Sequence, residues 1–220
     1  MADGFEAMVD AAVPFFAELR DNNTKDWFAP RKTGYQDEIA KPAALFADLL
    51  AEDMTRITGD TLKAKVFRIY RDVRFSKDKT PLNAHLHLMW SDPGGDPLVP
   101  TWFFGLSPDY FLLGTGLMGL QKEALAQFRS HVDGQGAALQ KAIDVARKAI
   151  RAEISDWGPA PLARVPKPFA PDHPQADFLR RKALAVHAPI PSDWRAVGLH
   201  KATLNLARDL VPVAQAMRPV

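Results

Sequence analysis

A chain of 220 residues, 47% hydrophobic and 25% charged, can bury a sizeable core, which excludes a disordered or fibrous protein. Twenty-eight basic against twenty-six acidic residues leave a net charge of +2, so no whole-protein field favours nucleic acid or a membrane surface. The sequence has no cysteine, which removes disulfides, thiol nucleophiles and cysteine-held metals or clusters.

The opening MADGFEAMVD lacks the positive start and apolar run of a secretory signal, and the most apolar stretches are broken by Pro, Thr, Gly and Ser. A cytoplasmic protein without a membrane segment is the expectation. Phe5, Met8, Val9, Ala12, Phe16 and Leu19 form one apolar stripe of a first helix, with a kink or fresh start predicted at Pro14. Asp21-Asn22-Asn23 is expected to end it through the left-handed conformation that Asn tolerates, and Thr24 to cap a short helix carrying Trp27 and Phe28. A second amphipathic helix follows Gly34, from Tyr35 through Ile39, Phe46, Leu49 and Leu50, with a kink expected at Pro42.

The pattern then becomes extended. Val66–Arg71 is rich in β-branched and aromatic residues. In His85–Trp90 the two-residue alternation sets His85 and His87 against Leu86, Leu88 and Trp90. A turn over 92–97 leads to strands Thr101–Leu106 and Tyr110–Leu113, with a hairpin loop at Ser107-Pro108-Asp109. The spacing predicts helices over 119–132 and 136–154. Six prolines in 155–174 predict an extended wrap anchored by Val165 and Phe169. Asp172 and Gln175 have capping-box spacing with Pro174 just inside, and a last helix spans roughly 200–217.

The resulting expectation is a single-domain α+β protein. A central, mainly antiparallel sheet of about four or five strands is packed by N- and C-terminal helices. Its segments are helical 1–60, sheet 62–118, helical 119–154, Pro-rich wrap 155–174 and C-terminal helices 175–217.

Charge is concentrated in one place. Lys63–Lys79 holds seven basic and two acidic residues, a local +5. On a strand Arg68 and Arg74 would share a face, and a loop after Arg71 would bring Arg74, Lys77 and Lys79 back towards Arg68. Convergent guanidinium forks and ammonium groups suit a phosphorylated or polycarboxylate ligand. The competing reading pairs Arg68, Arg71 and Arg74 with Asp72 and with carboxylates such as Asp26 and Glu38, making a scaffold between helices and sheet.

The run Arg68-Ile-Tyr-Arg71-Asp72-Val-Arg74-Phe75-Ser76-Lys77-Asp78-Lys79 resembles the R-x-x-R-D-x-R-F-x-x-x-K-x-x-Y signature of a bacterial family, domain of unknown function 2461. The resemblance extends to Asn22-Asn23, Trp27-Phe28, Tyr35, Tyr110–Gly116, His173-Pro174, Leu179-Arg180 and Lys182, and so covers most of the chain. Leu82 stands where the family has tyrosine. The resemblance implies one intact domain and no particular activity.

Two motifs compete for attention. Gly114-Thr-Gly116-Leu-Met-Gly119 spells G-x-G-x-x-G, but strands in a meander precede it and helices follow, which argues for close packing over dinucleotide binding. His85-x-His87 has a metal-ligand spacing that would need a third ligand from His131, His173, Asp92 or Asp96. No nucleophile elbow or phosphate loop is present in the sequence, and Ser76 is the only serine in a suggestive basic setting. Trp90, Trp102, Phe103, Phe104, Tyr110 and Phe111 are expected to pack beneath the helices, which argues against an exposed platform for nucleic acid.

The leading expectation is binding of, or catalysis on, an anionic small molecule. Arg68, Arg71, Arg74, Lys77 and Lys79 would hold the anion, Asp72 would orient the arginines, and His85 is the acid–base candidate. Neither a cofactor nor a metal is assigned. The alternatives are a non-catalytic scaffold or protein-interaction domain, and a His-dependent metallohydrolase.

Overall fold

The computed structural model describes residues 4–219, so the first three positions of the helical segment predicted over 1–60 lie outside it. The apolar stripe forms α1 (Glu6–Asp21), which buries Met8, Val9, Ala12, Phe16 and Leu19. No break occurs at Pro14, which lies on the exposed side, where solvent can take the Asp10 carbonyl that its missing N–H leaves free. Asn22 closes the helix at φ −127°, outside the left-handed region, and its side-chain amide donates to the Glu18 carbonyl at 2.9 Å.

The Thr24 hydroxyl caps α2 (Lys25–Phe28) by accepting from the Trp27 N–H at 3.2 Å. A 3₁₀ turn (Ala29–Arg31) and α3 (Lys32–Gly34) then lead into a π-helical turn, Tyr35–Ala40, and α4 (Lys41–Thr58). In place of a kink, Pro42 sits in the first turn of α4, and the ladder ahead of it widens so that the Lys41 N–H donates to the Gln36 carbonyl.

The sheet has six strands, one more than the upper expectation: β1 (Lys63–Val66), β2 (Leu86–Ser91), β3 (Thr101–Leu106), β4 (Phe111–Leu117), β5 (Glu153–Ile154) and β6 (Leu184–Pro189). Their order is β1-β2-β3-β4-β6-β5, with every neighbouring pair antiparallel. The strand expected over Val66–Arg71 stops at Val66. Beyond it the chain leaves the sheet as an arm held by a bridge between Tyr70 and Leu82. The segment assigned to C-terminal helices, 175–217, contains β6 between α6 (Ala176–Leu179) and the later α7 (Trp194–Val197) and α8 (Leu199–Met217).

The two helices expected over 119–132 and 136–154 are one helix, α5 (Lys122–Ile150). Gly136 does not break it. A Cβ there would meet Gln175 Cγ at 2.7 Å, so the glycine lets α6 approach. The capping box at Asp172 does not form either, since the Gln175 N–H donates to His173 Nδ1 at 3.0 Å.

One face of the sheet carries the core. Leu86, Leu88 and Trp90 of β2, Trp102, Phe104 and Leu106 of β3, Leu113 and Leu117 of β4, and Leu184, Val186 and Ala188 of β6 are all buried. They pack under α4 and α8, with α5 stacked on α8. Alternation then sends the intervening side chains to the opposite, outer face. Among the described residues no helix is long and apolar enough to cross a membrane.

Candidate functional site

The outer face is built in rows across the strands. His87 of β2 pairs with Gly105 of β3, which pairs with Leu112 of β4. The next row runs Met89, Phe103, Gly114, His187. Because Gly105 has no side chain, the first row has a gap at its centre. The hairpin turn fills part of that gap: the Ser107 hydroxyl accepts from the N–H groups of Asp109 (3.1 Å) and Tyr110 (3.2 Å), which turns the Tyr110 ring back over β3. A Cβ on Gly105 would lie 2.9 Å from the Tyr110 ring.

What remains is a cavity of about 380 Å³, lined by Phe67, His87, Phe103, Gly105, Tyr110, Leu112 and Trp157 and by parts of Leu88 and Phe104. That volume suits a small organic molecule. Trp157 comes from the Pro-rich connection. Its N–H donates to the Ser155 hydroxyl at 3.0 Å, and the Ser155 N–H donates to the Ala185 carbonyl of β6 at 2.8 Å. So tethered, the indole stacks on His187 (5.2 Å, 18°) and meets Phe103 edge-on (6.0 Å, 81°). Phe67 stands edge-on to His87 at 6.5 Å.

His85 and His87 do come together, with rings stacked at 3.8 Å and 18°. His87 Nε2 lies 2.7 Å from the Tyr110 hydroxyl. Burial first, and then the charge of His85, push the His87 imidazole down to about 4. Burial, followed by the nearby Arg71 charge, lowers His85, and burial raises the Tyr110 phenol. At neutral pH the pair is therefore a neutral imidazole and a protonated phenol, and the phenol can donate to Nε2.

These shifts make a pH prediction. A folded imidazole held below its ordinary 6.5 favours the neutral form, so its contribution to stability is complete above 6.5 and lost as pH falls towards about 4. His85 and His187 are displaced in the same direction. The unfolding free energy from urea denaturation should fall between pH 6.5 and 4 at up to ~1.4 kcal/mol per pH unit for His87, and His87→Gln should flatten that slope. Asp78, held at about 2 by the Thr80 N–H and Arg71, titrates below this window.

The basic segment forms an exposed loop that pairs with itself and does not converge on one point. Asp72 accepts from Arg74 through Nε (2.9 Å) and Nη2 (2.7 Å). Arg71 Nη1 donates to Asp78 (2.5 Å), to the Thr80 carbonyl (3.1 Å) and to the Thr80 hydroxyl. Lys79 Nζ donates to the Val73 carbonyl at 3.0 Å. Among the described residues Arg68 and Lys77 have no ion pair, and no pair reaches Asp26 or Glu38. Of the pairings in the scaffold reading, Arg74–Asp72 is therefore present and those to Asp26 and Glu38 are not, among the described residues, because the chain leaves β1 after Val66 and meets its own carboxylates first.

Arg71 is the exception in environment. Its side chain is only 25% exposed and its charge acts on His85, while its Nε and Nη2 donors make no hydrogen bond among the described residues.

Two further expectations are corrected by position, and a third, the close packing of Gly114 and Gly116, is met. Phe103 and Tyr110, expected beneath the helices, line the outer cavity. Their alternation with Trp102, Phe104 and Phe111 was the available signal. The proposed third metal ligands lie apart from the histidine pair: His131 Nε2 is 2.9 Å from the Ala216 carbonyl, and His173 pairs with Asp133. Among the described residues no three His, Cys, Asp or Glu side chains converge to hold a metal. Gly114 and Gly116 serve close packing, since a Cβ on either would strike the β6 backbone. Trp157 and Phe67 carried no motif that marked them.

The model of a family described as conserved hypothetical protein, DUF2461, matches residues 11–216. No curated protein matches the chain.

Proposed function

Since the chain belongs to the DUF2461 family of conserved hypothetical proteins, its function has to be read from its own site, and we propose that it binds a small organic anion where the basic loop meets the outer cavity. The observation that carries this reading is the position of Arg71. It is largely sheltered, it acts on His85, and His85 stacks on the His87 that lines the cavity. A guanidinium has five N–H donors, and only those on Nη1 are taken by the loop. The Nε–Nη2 edge offers a carboxylate or phosphate the paired geometry such groups prefer.

Arg68 and Lys77 add positive charge to the same loop, and Asp78 and Thr80 hold Arg71 in place. Arg74 is the weaker candidate, because it is 78% exposed and its fork is already filled by Asp72. The His87 imidazole, pushed down to about 4 by burial and the charge of His85, is neutral at pH 7 and can accept a hydrogen bond.

The test is a thermal-shift and calorimetric titration with benzoate, phenyl phosphate and inorganic phosphate. An anion at a hundred times its dissociation constant should stabilise the fold by about 2.7 kcal/mol, read as a rise of several degrees in Tm. Arg71→Ala should abolish the shift and Arg74→Ala should leave most of it. Binding undiminished in Arg71→Ala would overturn the proposal.

A further inference from the structure

The cavity itself says more about what is bound. We infer that the body of the ligand is a planar aromatic ring system bearing a hydrogen-bonding substituent, seated against Phe103 and Trp157 with the substituent at the His87–Tyr110 pair. This rests on the anion reading above for the group outside the cavity and deepens it for the part inside.

Four observations converge. The walls are ring faces and edges from Phe67, Phe103, Tyr110 and Trp157, while the floor at Gly105 is bare backbone, so the space is bounded by flat surfaces. Aromatic rings gain most from offset or edge contacts with such neighbours. Trp157 is fixed over the space by hydrogen bonds from its own loop to β6, so the wall exists before a ligand arrives.

Among the described residues no Asp, Glu, Lys or Arg lines the cavity. A carboxylate or phosphate pushed inside would be desolvated without a counter-charge, which keeps the anionic group outside, towards Arg71. The polar side chains at the wall are His87 and Tyr110, 2.7 Å apart. A phenol that donates to the imidazole retains lone pairs, so its oxygen accepts a hydrogen bond from a ligand hydroxyl or amine. The pair selects for a donor on the ring.

The experiment uses the full chain with 2-naphthoate, 6-hydroxy-2-naphthoate, 2-naphthol, decanoate and acetate as probes. Binding is followed by calorimetry and by quenching of tryptophan emission. The quenching is assigned by its loss in Trp157→Phe.

2-Naphthoate is expected to bind at least a hundredfold more tightly than acetate, and decanoate at least tenfold more weakly than 2-naphthoate. The 6-hydroxyl should add about tenfold, and Tyr110→Phe should remove that increment while sparing 2-naphthoate. Leu112→Trp, which fills the cavity, should abolish naphthoate binding. Phe67→Trp at the wall gives the same reading if circular dichroism shows Leu112→Trp misfolded.

Naphthoate binding no tighter than acetate, decanoate binding as tightly as naphthoate, or indifference to both filling variants would overturn the inference, even with Arg71-dependent anion binding intact. If 2-naphthol binds as tightly as 2-naphthoate and Arg71→Ala changes neither, the ring site stands and the anion reading falls.

Discussion

Gly116→Ala is expected to cost more than ~3 kcal/mol, at the upper end for overpacking, although only one methyl group is added. The added Cβ would lie 2.3 Å from the Leu184 carbonyl oxygen and 2.5 Å from Ala185 Cα. Both are main-chain atoms of β6, held in register with β4 from Leu112–Pro189 to Leu117–Leu184, so neither can swing aside as a side chain would. Relief requires prising the two strands apart, which forfeits ladder hydrogen bonds in the middle of the sheet.

Gly119→Ala is the instructive control. Nothing lies within 4 Å of its Cβ position, but its φ is +68°, so it should cost only the ~1–2 kcal/mol of left-handed backbone. Urea denaturation of the two variants decides the matter. A Gly116→Ala loss no larger than that of Gly119→Ala would show that β6 yields.

Trp90→Ala should be comparably severe, at ~3–5 kcal/mol, which is a large share of a typical domain's total stability. Trp90 is fully buried near the C-terminal end of β2, and its Nε1–H donates to the Ala47 carbonyl of α4 at 2.8 Å. The side chain therefore fills the layer between sheet and helix and also ties the two together. Trp90→Phe keeps most of the apolar contact and loses the hydrogen bond, for which ~1 kcal/mol is expected beyond the smaller ring's lost packing. Trp157→Ala, on the outer face, should move the urea midpoint far less than Trp90→Ala. Equal losses from the two tryptophans would contradict the assignment of core and cavity to opposite faces.

How far the sequence discloses this molecule follows from which interactions are local. The stripe of α1, the Thr24 cap, the alternation in His85–Trp90 and the Ser107-Pro108-Asp109 turn are short-range patterns, and each is found where expected. β6 was hidden because Leu184-Ala-Val-His-Ala-Pro189 is poor in strand-forming residues. It is a strand because β4 offers an edge there and its Leu184, Val186 and Ala188 complete the core.

The Arg68–Lys79 charge was plain in the sequence, but its partners were not, since these depend on where the arm leaves the sheet. His85, the acid–base candidate of the sequence, lies within reach of the Arg71 charge. Its position between Arg71 and the cavity-lining His87 depends on which face of β2 the helices cover. That is decided by segments far along the chain, and Trp157, Phe67 and Gly105 acquire meaning only once it is known.

The order in which the strands are made has a consequence for synthesis. β1 to β4 are contiguous and can zip as a meander while still near the ribosome, but β6 pairs with β4 only after all of α5 and the Pro-rich connection have been translated. At ~5–20 residues per second that leaves β4 as an open edge for several seconds. During that interval Gly114 and Gly116 present bare backbone to any passing strand. The nascent protein is therefore most prone to wrong pairing late in its synthesis, and a chain truncated before Leu184 would retain that exposed edge permanently.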